Sequence, residues 1–479
     1  MRESIWEQTA EKKERAPLPE SGAAEAVVIG GGMAGILIAW YLREAGVDAV
    51  VLEAERVGSG QTRNTTAKVT SQHGAVYQKL VPAFGEEGAR LYANANETAI
   101  EAYEDLIQRL QIDCDWQRLP AILYSSADSR KIEAERDAAV MAGIPASHLR
   151  KTELPFPVKR ALSFPGQARF HPLKFLYRLA EEVPVYEQTR VLKVEDDRVQ
   201  TNRGWFSARH IIFATHYPFV NAPGYYFMRM HQERSYVLAL RNTPELEGLY
   251  YGVDPGGVSL RNGEGCLLLG GGNHRAGENT SGGRYELLRR TAQTYWPQAQ
   301  EAARWSAQDC MTLDDVPYIG RFSASTPHWY VATGFGKWGM STSMVSALLL
   351  RDLILGKKNP WEGLFTPQRL KLSASAKRLV EDSLQAVKGI SREALGLPRA
   401  QVEELPLGHG GIVDWQGEKL GVYKNQEGEA FVVSARCPHL GCQLEWNPDE
   451  KSWDCPCHGS RFDYLGHLLD GPAQENLLT

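Results

Sequence analysis

The stretch AVVIGGGMAGILIAWYLREAGVDAVVLE, Ala26 to Glu53, decides how the chain begins to fold. AVVI is an apolar strand, GGMAG is a turn too rich in glycine to be anything regular, ILIAWYLREAG has helical patterning, and VDAVVLE is a second strand. Together they make a βαβ unit. Gly30, Gly32 and Gly35 fall in the G-x-G-x-x-G pattern, with Met33 and Ala34 between the last two glycines, and Glu53 ends the second strand 18 residues beyond Gly35. The first glycine permits a tight turn, the second lets the backbone approach a pyrophosphate, and the third lets helix pack on strand. The helix N-terminus then faces the phosphates, and the acid meets a ribose hydroxyl. A glycine turn in a ligand-free α/β domain is disfavoured because strand, spacing and acid occur together. The residues alone leave FAD and NAD both open.

Outward from this unit, 479 residues exceed what one core serves, so two or three domains are expected. A formal charge of -5 argues against a nucleic-acid partner. The N-terminal MRESIWEQTAEKKERAPLPESG has charges throughout and no apolar core. Residues 1–24 therefore read as a flexible lead and not as a secretory signal. MVSALLLRDLILG, from Met344, is interrupted by Arg351 and Asp352 and is too short to span a bilayer. The expectation is a soluble, cytoplasmic protein with no membrane anchor.

Helical patterns run from about Pro82 to Leu110, followed by a loop-rich middle and short strands between Val183 and Ala214. LLLGGGNHRAG, from Leu267, has no helix clearly after it and reads as a hairpin turn. PYIGRF, HWYVATGFGKWGM and STSMVSALLLRDLILG then give a second strand, glycine turn and helix. A charged helical connector follows Trp361. Beyond a boundary near residue 400, short β-like runs with glycine turns suggest a small all-β module.

That module holds four of the seven cysteines, in CPHLGC (Cys437 to Cys442) and CPCHGS (Cys455 to Ser460). A local cysteine cluster in a reducing compartment points to a metal or redox centre and away from a disulfide framework. Cys437, His439, Cys442, Cys455, Cys457 and His458 are six potential ligands within 22 residues. Two cysteines and two histidines suit tetrahedral zinc, but the usual C-x2-C knuckles are absent. A plant-type cluster wants C-x4-C-x2-C, and after Cys442 no cysteine occurs until Cys455.

Two resemblances sharpen these readings. ERVGSGQTRNTTAKVT after Glu53, and PYIGRF…VATGFGKWGMSTSMVSALLLRDLI later, resemble the D-amino-acid oxidase and glycine oxidase superfamily over roughly residues 25–365. The resemblance implies noncovalent FAD, and a second dinucleotide fingerprint for NAD(P)H is missing. It places Asn64, Thr65 and Thr66 along the flavin ring, the Val191 backbone at the adenine, and the segment with Gly334, Gly336, Gly339 and Met340 at the pyrimidine end of the isoalloxazine. A helix starting near Gly339 would aim its positive end at reduced flavin, with Lys337 adding a full charge. Lys337 is also a candidate for holding a substrate carboxylate, against the bland reading of a solvated surface lysine. Arg234, Tyr236 and His73 are further pocket candidates whose structural reading is the stronger.

The paired hexapeptides resemble the Rieske 2Fe–2S proteins, in the branch of the cytochrome bc iron–sulfur subunits. By that resemblance Cys437 and Cys455 bind one iron and His439 and His458 the other, which raises the potential above that of an all-cysteine cluster. Cys442 and Cys457 match the interloop disulfide of that branch, which closes 15 residues and is worth about 3 kcal/mol on the chain-entropy model. In the cytoplasm such a bond needs burial to persist. Phe462 stands where high-potential relatives have a tyrosine that donates to a ligand sulfur, so a lower potential is expected. Ser460 remains a donor.

The fold class expected is therefore α/β plus all-β. A Rossmann-type FAD-binding part (roughly 25–80, 150–220 and 310–365) carries a mixed α+β substrate part (roughly 81–149 and 221–309). A helical linker (366–399) then leads to a small β-sandwich-like Rieske domain (400–479). The whole chain resembles bacterial FAD-dependent oxidoreductases of the glycine/D-amino-acid oxidase type with a C-terminal Rieske domain. That implies a dehydrogenase: an amine or amino-acid-like substrate reduces FAD, and the cluster passes electrons singly to an external carrier. Flow in the reverse direction from a reduced carrier, and an O2-using oxidase with a Rieske appendage, are the alternatives.

Overall fold

The computed structural model describes residues 3–369, 405–415 and 418–478. The expected helical linker falls mostly on residues 370–404, outside the described residues. The fingerprint forms as read: strand Gly22–Ile29, helix Met33–Glu44 and strand Ala49–Leu52. The first strand lies between Trp205–Phe213 and Ala49–Leu52, parallel to both. A strand paired on each side and covered by helices on its faces needs a continuous apolar run, which Ala26 to Ile29 supply; all four are buried. Thr326–Thr333 extends the sheet in parallel, and Tyr318–Ser323 closes that edge antiparallel. The late helix Gly339–Ile354 packs against the fingerprint helix, through apolar stripes that include Met344, Ala347 and Leu348.

A second, nine-stranded and largely antiparallel sheet runs Gln300–Thr312, Met230–Arg241, Cys266–Arg275, Ser259–Gly263, Leu249–Gly252, Gln117–Ser125, Arg160–Arg169 and Lys68–Val69, with Ser147–Leu149 on its margin. Four expectations are corrected here. Residues 160–169 belong to this sheet and not to the nucleotide part. Gly270–Gly272 lie inside a strand and not in a hairpin turn; Gly270 is in register with Val237 and Gly271 with Tyr236 of the neighbouring strand, and all three glycines line a cavity described below. The middle is regular: strand Gln117–Ser125 and helix Ser129–Met141 fold onto helix Tyr77–Leu110. The N-terminal lead is anchored. Ile5 and Trp6 are buried, and Trp6 donates Nε1–H to the Thr65 carbonyl at 2.8 Å and stacks edge-on with His171. A single tryptophan can tie down a charged segment because its ring carries so much apolar area.

The C-terminal module has one sheet of Gly410–Trp415, Glu418–Lys424 and Ala430–Ser434, and another of Glu445–Asn447, Ser452–Asp454, Arg461–Asp463 and Leu468–Asp470. Trp446, Trp453, Tyr423 and Phe462 fill the core between them.

Candidate functional site

The glycine fingerprint opens a cavity of about 670 Å³. Gly30 has φ +110, and a Cβ there would sit 2.6 Å from the Ala214 carbonyl oxygen; at Gly35 a Cβ would come 1.9 Å from the Gly30 oxygen. Neither position admits a side chain. Gly31 donates its amide to Glu53 Oε2 at 2.6 Å and Met33 donates to Thr62 Oγ1 at 3.0 Å, so Glu53 is oriented by backbone at the rim of the cavity. Burial raises the Glu53 pKa, against the lowering effect of the Glu55 and Gly31 amides that donate to it. Gly32, Met33, Ala34, Val191 and Thr65 line the space, and so do Gly336, just before the late helix, and Gly339 and Met340 at its start. His216 lines it as well, and its buried Nε2 has no hydrogen-bond partner among the described residues. Excluded side chains, exposed backbone amides at a helix N-terminus and an orphaned imidazole nitrogen fit a dinucleotide.

A second cavity, about 940 Å³, adjoins the first and shares Thr65, Asp309, Phe335, Gly336, Lys337 and Met340 with it. Asn64, Thr66 and Gly334 line this side. Its walls are aromatic: Trp338 stacks on His73 at 4.7 Å and packs against Tyr251 at 5.3 Å. His73 is buried and hydrogen-bonded to Tyr92, the Thr70 carbonyl and Ser341, and burial pushes its pKa down to about 3. It is a neutral wall residue. Lys337 is neither solvated nor a free charge. Its Nζ lies 3.1 Å from Glu233 and 3.3 Å from Asp309, so it stays protonated while the triad as a whole carries no positive charge. The expectations that it adds a full charge beside the flavin or holds a substrate carboxylate are corrected accordingly. The helix N-terminus at Gly339 keeps its dipole.

Arg234 lies away from this cavity. It is 2% exposed and binds Gln308 and Ser306, with Glu450 at 3.2 Å and Asp470 at 3.8 Å. It pairs with Gln308 of the neighbouring strand, and its guanidinium reaches the C-terminal module at Glu450 and Asp470. Tyr236 does line the cavity, and its hydroxyl accepts from Asn279.

In that module the loops 437–442 and 455–460 meet face to face. Cys442 and Cys457 form a buried disulfide, as the family resemblance implied. The Cys442, Cys455 and Cys457 sulfurs lie within 4.8 Å of one another, but the disulfide occupies two of them. Cys437 and Cys455 are left as buried free thiols interacting through sulfur, with the His439 and His458 rings perpendicular at 4.9 Å. His439 donates Nε2–H to Asn221 Oδ1 at 2.8 Å, so the neutral ring keeps its lone pair on Nδ1, which is buried without a hydrogen-bond partner. A lone pair fixed by a hydrogen bond on the opposite nitrogen, beside two free thiols, fits a mixed cysteine and histidine cluster. Ser460 reaches Cys437 and also accepts from the Ala473 amide. Phe462 is buried with no hydroxyl to offer.

The module is docked on the rest of the chain. Phe227 packs against both histidine rings. Gln232 donates to the His458 carbonyl at 2.6 Å and the Gly471 carbonyl at 3.0 Å; Gln308 donates to Gly459 at 2.7 Å and Gln232 at 2.6 Å. Gly459, at φ +81, admits this approach because a Cβ would meet Gln232 at 2.6 Å. Residues 468–474 of the module help to line the nucleotide cavity, and Gln61 bridges to Asp470 at 2.7 Å. Gln61, Thr62, Gln232, Gln308, His216 and Asn221 are the residues that sequence reasoning missed. No motif marks a glutamine or an asparagine whose partner lies far along the chain.

The FAD dependent oxidoreductase (DAO) family model matches residues 25–353, and the Rieske 2Fe–2S domain model matches residues 397–479. YhfW of Bacillus subtilis, named for a Rieske 2Fe–2S centre, is 36% identical over 98% of this chain and 96% of its own. The cytochrome b6-f complex iron–sulfur subunit 1 of Nostoc sp. is 47% identical over 47 residues, 10% of this chain and 26% of that subunit. The crystal structure of glycine oxidase from Geobacillus kaustophilus superposes with a TM-score of 0.63 at 20% identity, covering 73% of this chain and 99% of the oxidase. Among the described residues no helix is long and apolar enough to cross a membrane. With the glycine-walled cavity matched by one family and the paired cysteine–histidine loops by the other, the chain belongs to the DAO family of FAD-dependent oxidoreductases and ends in a Rieske 2Fe–2S domain.

Proposed function

We propose that the chain oxidises an amine or amino-acid-like substrate held in the 940 Å³ cavity, with FAD in the adjoining one, and that the Rieske domain relays the electrons singly to an external carrier. FAD supplies hydride acceptance and the cluster supplies one-electron transfer. The protein's part is placement. The wall shared by the two cavities puts substrate and flavin sites side by side, and His73, Trp338 and Tyr251 exclude water from the junction. Asp309 and Glu233 hold Lys337 protonated at that wall.

The observation that carries the relay is a short bonded route between the two sites. Gly336, on the cavity wall, donates to the Cys310 carbonyl at 2.9 Å; Cys310 pairs with Gln232 across the strands, and Gln232 binds the carbonyl of His458. Anaerobic mixing with candidate amines, followed by flavin absorbance and the cluster's EPR signal, tests the reading. Flavin bleaching followed by a reduced cluster supports it. Reduction of the cluster only by a ferredoxin-like donor supports reverse flow, and peroxide release with the cluster left oxidised supports an oxidase; either outcome overturns the relay.

A further inference from the structure

The nucleotide cavity is not walled by the oxidoreductase part alone. Residues 468–474 of the Rieske domain line it as well. They comprise the edge strand Leu468–Asp470 and the turn after it, and they lie outside the two cluster loops. Two of them have contacts to spare. Leu469 is a large apolar residue left 51% exposed. The side-chain amide of Gln474 has, among the described residues, only the Pro472 and Ala473 carbonyls, both at 3.5 Å, the outer limit of a hydrogen bond. Asp470 is fully engaged: Oδ1 accepts from Gln61 at 2.7 Å and Oδ2 from Arg461 at 2.9 Å, so this wall sets no uncompensated negative charge against a dinucleotide.

The same wall is tied to the glycine fingerprint. Gln61, which holds Asp470, also accepts the Gln308 amide at 2.8 Å, and its neighbour Thr62 accepts the Met33 amide at the start of the fingerprint helix at 3.0 Å. Consecutive residues of the short turn Gln61–Asn64 therefore hold the Rieske domain and the fingerprint together. Open apolar surface and a weakly bonded amide on a cavity wall suit a ligand that covers the one and bonds the other. We infer that the Rieske domain supplies part of the FAD site, Leu469 as apolar cover and Gln474 as a hydrogen-bonding partner, so that FAD binding and docking of that domain strengthen each other. Linkage makes the coupling reciprocal: the factor by which docking raises FAD affinity is the factor by which FAD favours docking.

The test uses the full chain with its cluster loaded, with FAD bound or removed, and reads the FAD dissociation constant by flavin fluorescence and native-state hydrogen exchange by amide. Leu469→Ala and Gln474→Ala are each expected to weaken FAD about 5-fold, the effect of half a leucine side chain or of one net hydrogen bond. In wild type, removing FAD is expected to speed exchange at the Gly283 and Arg284 amides, which donate to Asp449 of the Rieske domain, by about 25-fold, the two contacts together. In the double variant that response to FAD is expected to vanish. Val422 and Val433, buried in the Rieske domain's own sheet, are expected to exchange at an unchanged rate throughout. Unchanged FAD affinity in both single variants, exchange at Gly283 and Arg284 that ignores FAD in wild type, or a full response surviving in the double variant overturns the inference. Acceleration shared by Val422 and Val433 marks unfolding of the domain instead of undocking and overturns it too. Neither readout involves turnover.

Discussion

Replacing Gln232 by alanine tests whether the Rieske domain is held in place by the route described above. The side chain is 1% exposed and makes three hydrogen bonds, two donated to carbonyls of the Rieske domain and one accepted from Gln308. Only the two bonds to the Rieske domain cross the interface; at about 1 kcal/mol net for each, the docked state loses about 2 kcal/mol, or roughly a 30-fold shift in the docking equilibrium. The amides of Gly283 and Arg284 report on that equilibrium, because both donate to the Asp449 carboxylate across the interface. Native-state hydrogen exchange is expected to speed up at these two amides by about 30-fold while Val27 and Val28, in the central strand, are unchanged. Flavin-to-cluster transfer, read by rapid-mix EPR, is expected to slow in the same variant with flavin reduction by substrate unaltered. Unchanged exchange at Gly283 and Arg284 would refute the docking argument.

Arg234→Met removes a buried cation beside Glu450 while Arg461 stays at 3.6 Å from it, and is expected to lower stability in denaturant titration by less than the about 3–5 kcal/mol of an uncompensated buried charge. Cys442→Ser, which opens the 15-residue loop, is expected to cost the Rieske domain about 3 kcal/mol, followed by loss of the cluster's visible band on urea titration.

The two cofactor sites were legible because each is local. Within Ala26 to Glu53 the strand, the turn glycines and the acid lie within 28 residues, and the cluster loops span 22 residues, so spacing marks both sites while the family resemblance supplies the choice of FAD and the pairing of the cluster ligands. The structural reading of Arg234 was the stronger one in sequence, but its partners Gln308, Ser306 and Glu450 lie more than 70 positions away, where no composition signal marks them. Gly270–Gly272 were read as a turn because glycine marks both turns and close approaches, and only the neighbouring strands distinguish these. Lys337 was read as a lone charge because the acids at 233 and 309 that hold it are brought to it only by the fold. The docking of the Rieske domain rests on contacts between residues more than 140 positions apart, which no periodicity encodes.

The cap that Phe227 and Asn221 place over the two imidazoles has a consequence for traffic. In this arrangement the imidazole side of the Rieske loops faces the chain's own oxidoreductase part. Under the proposed relay, a diffusing protein that collected the charge would have to approach from another flank, and its contact surface would be shaped to that flank and not to a bare pair of histidines.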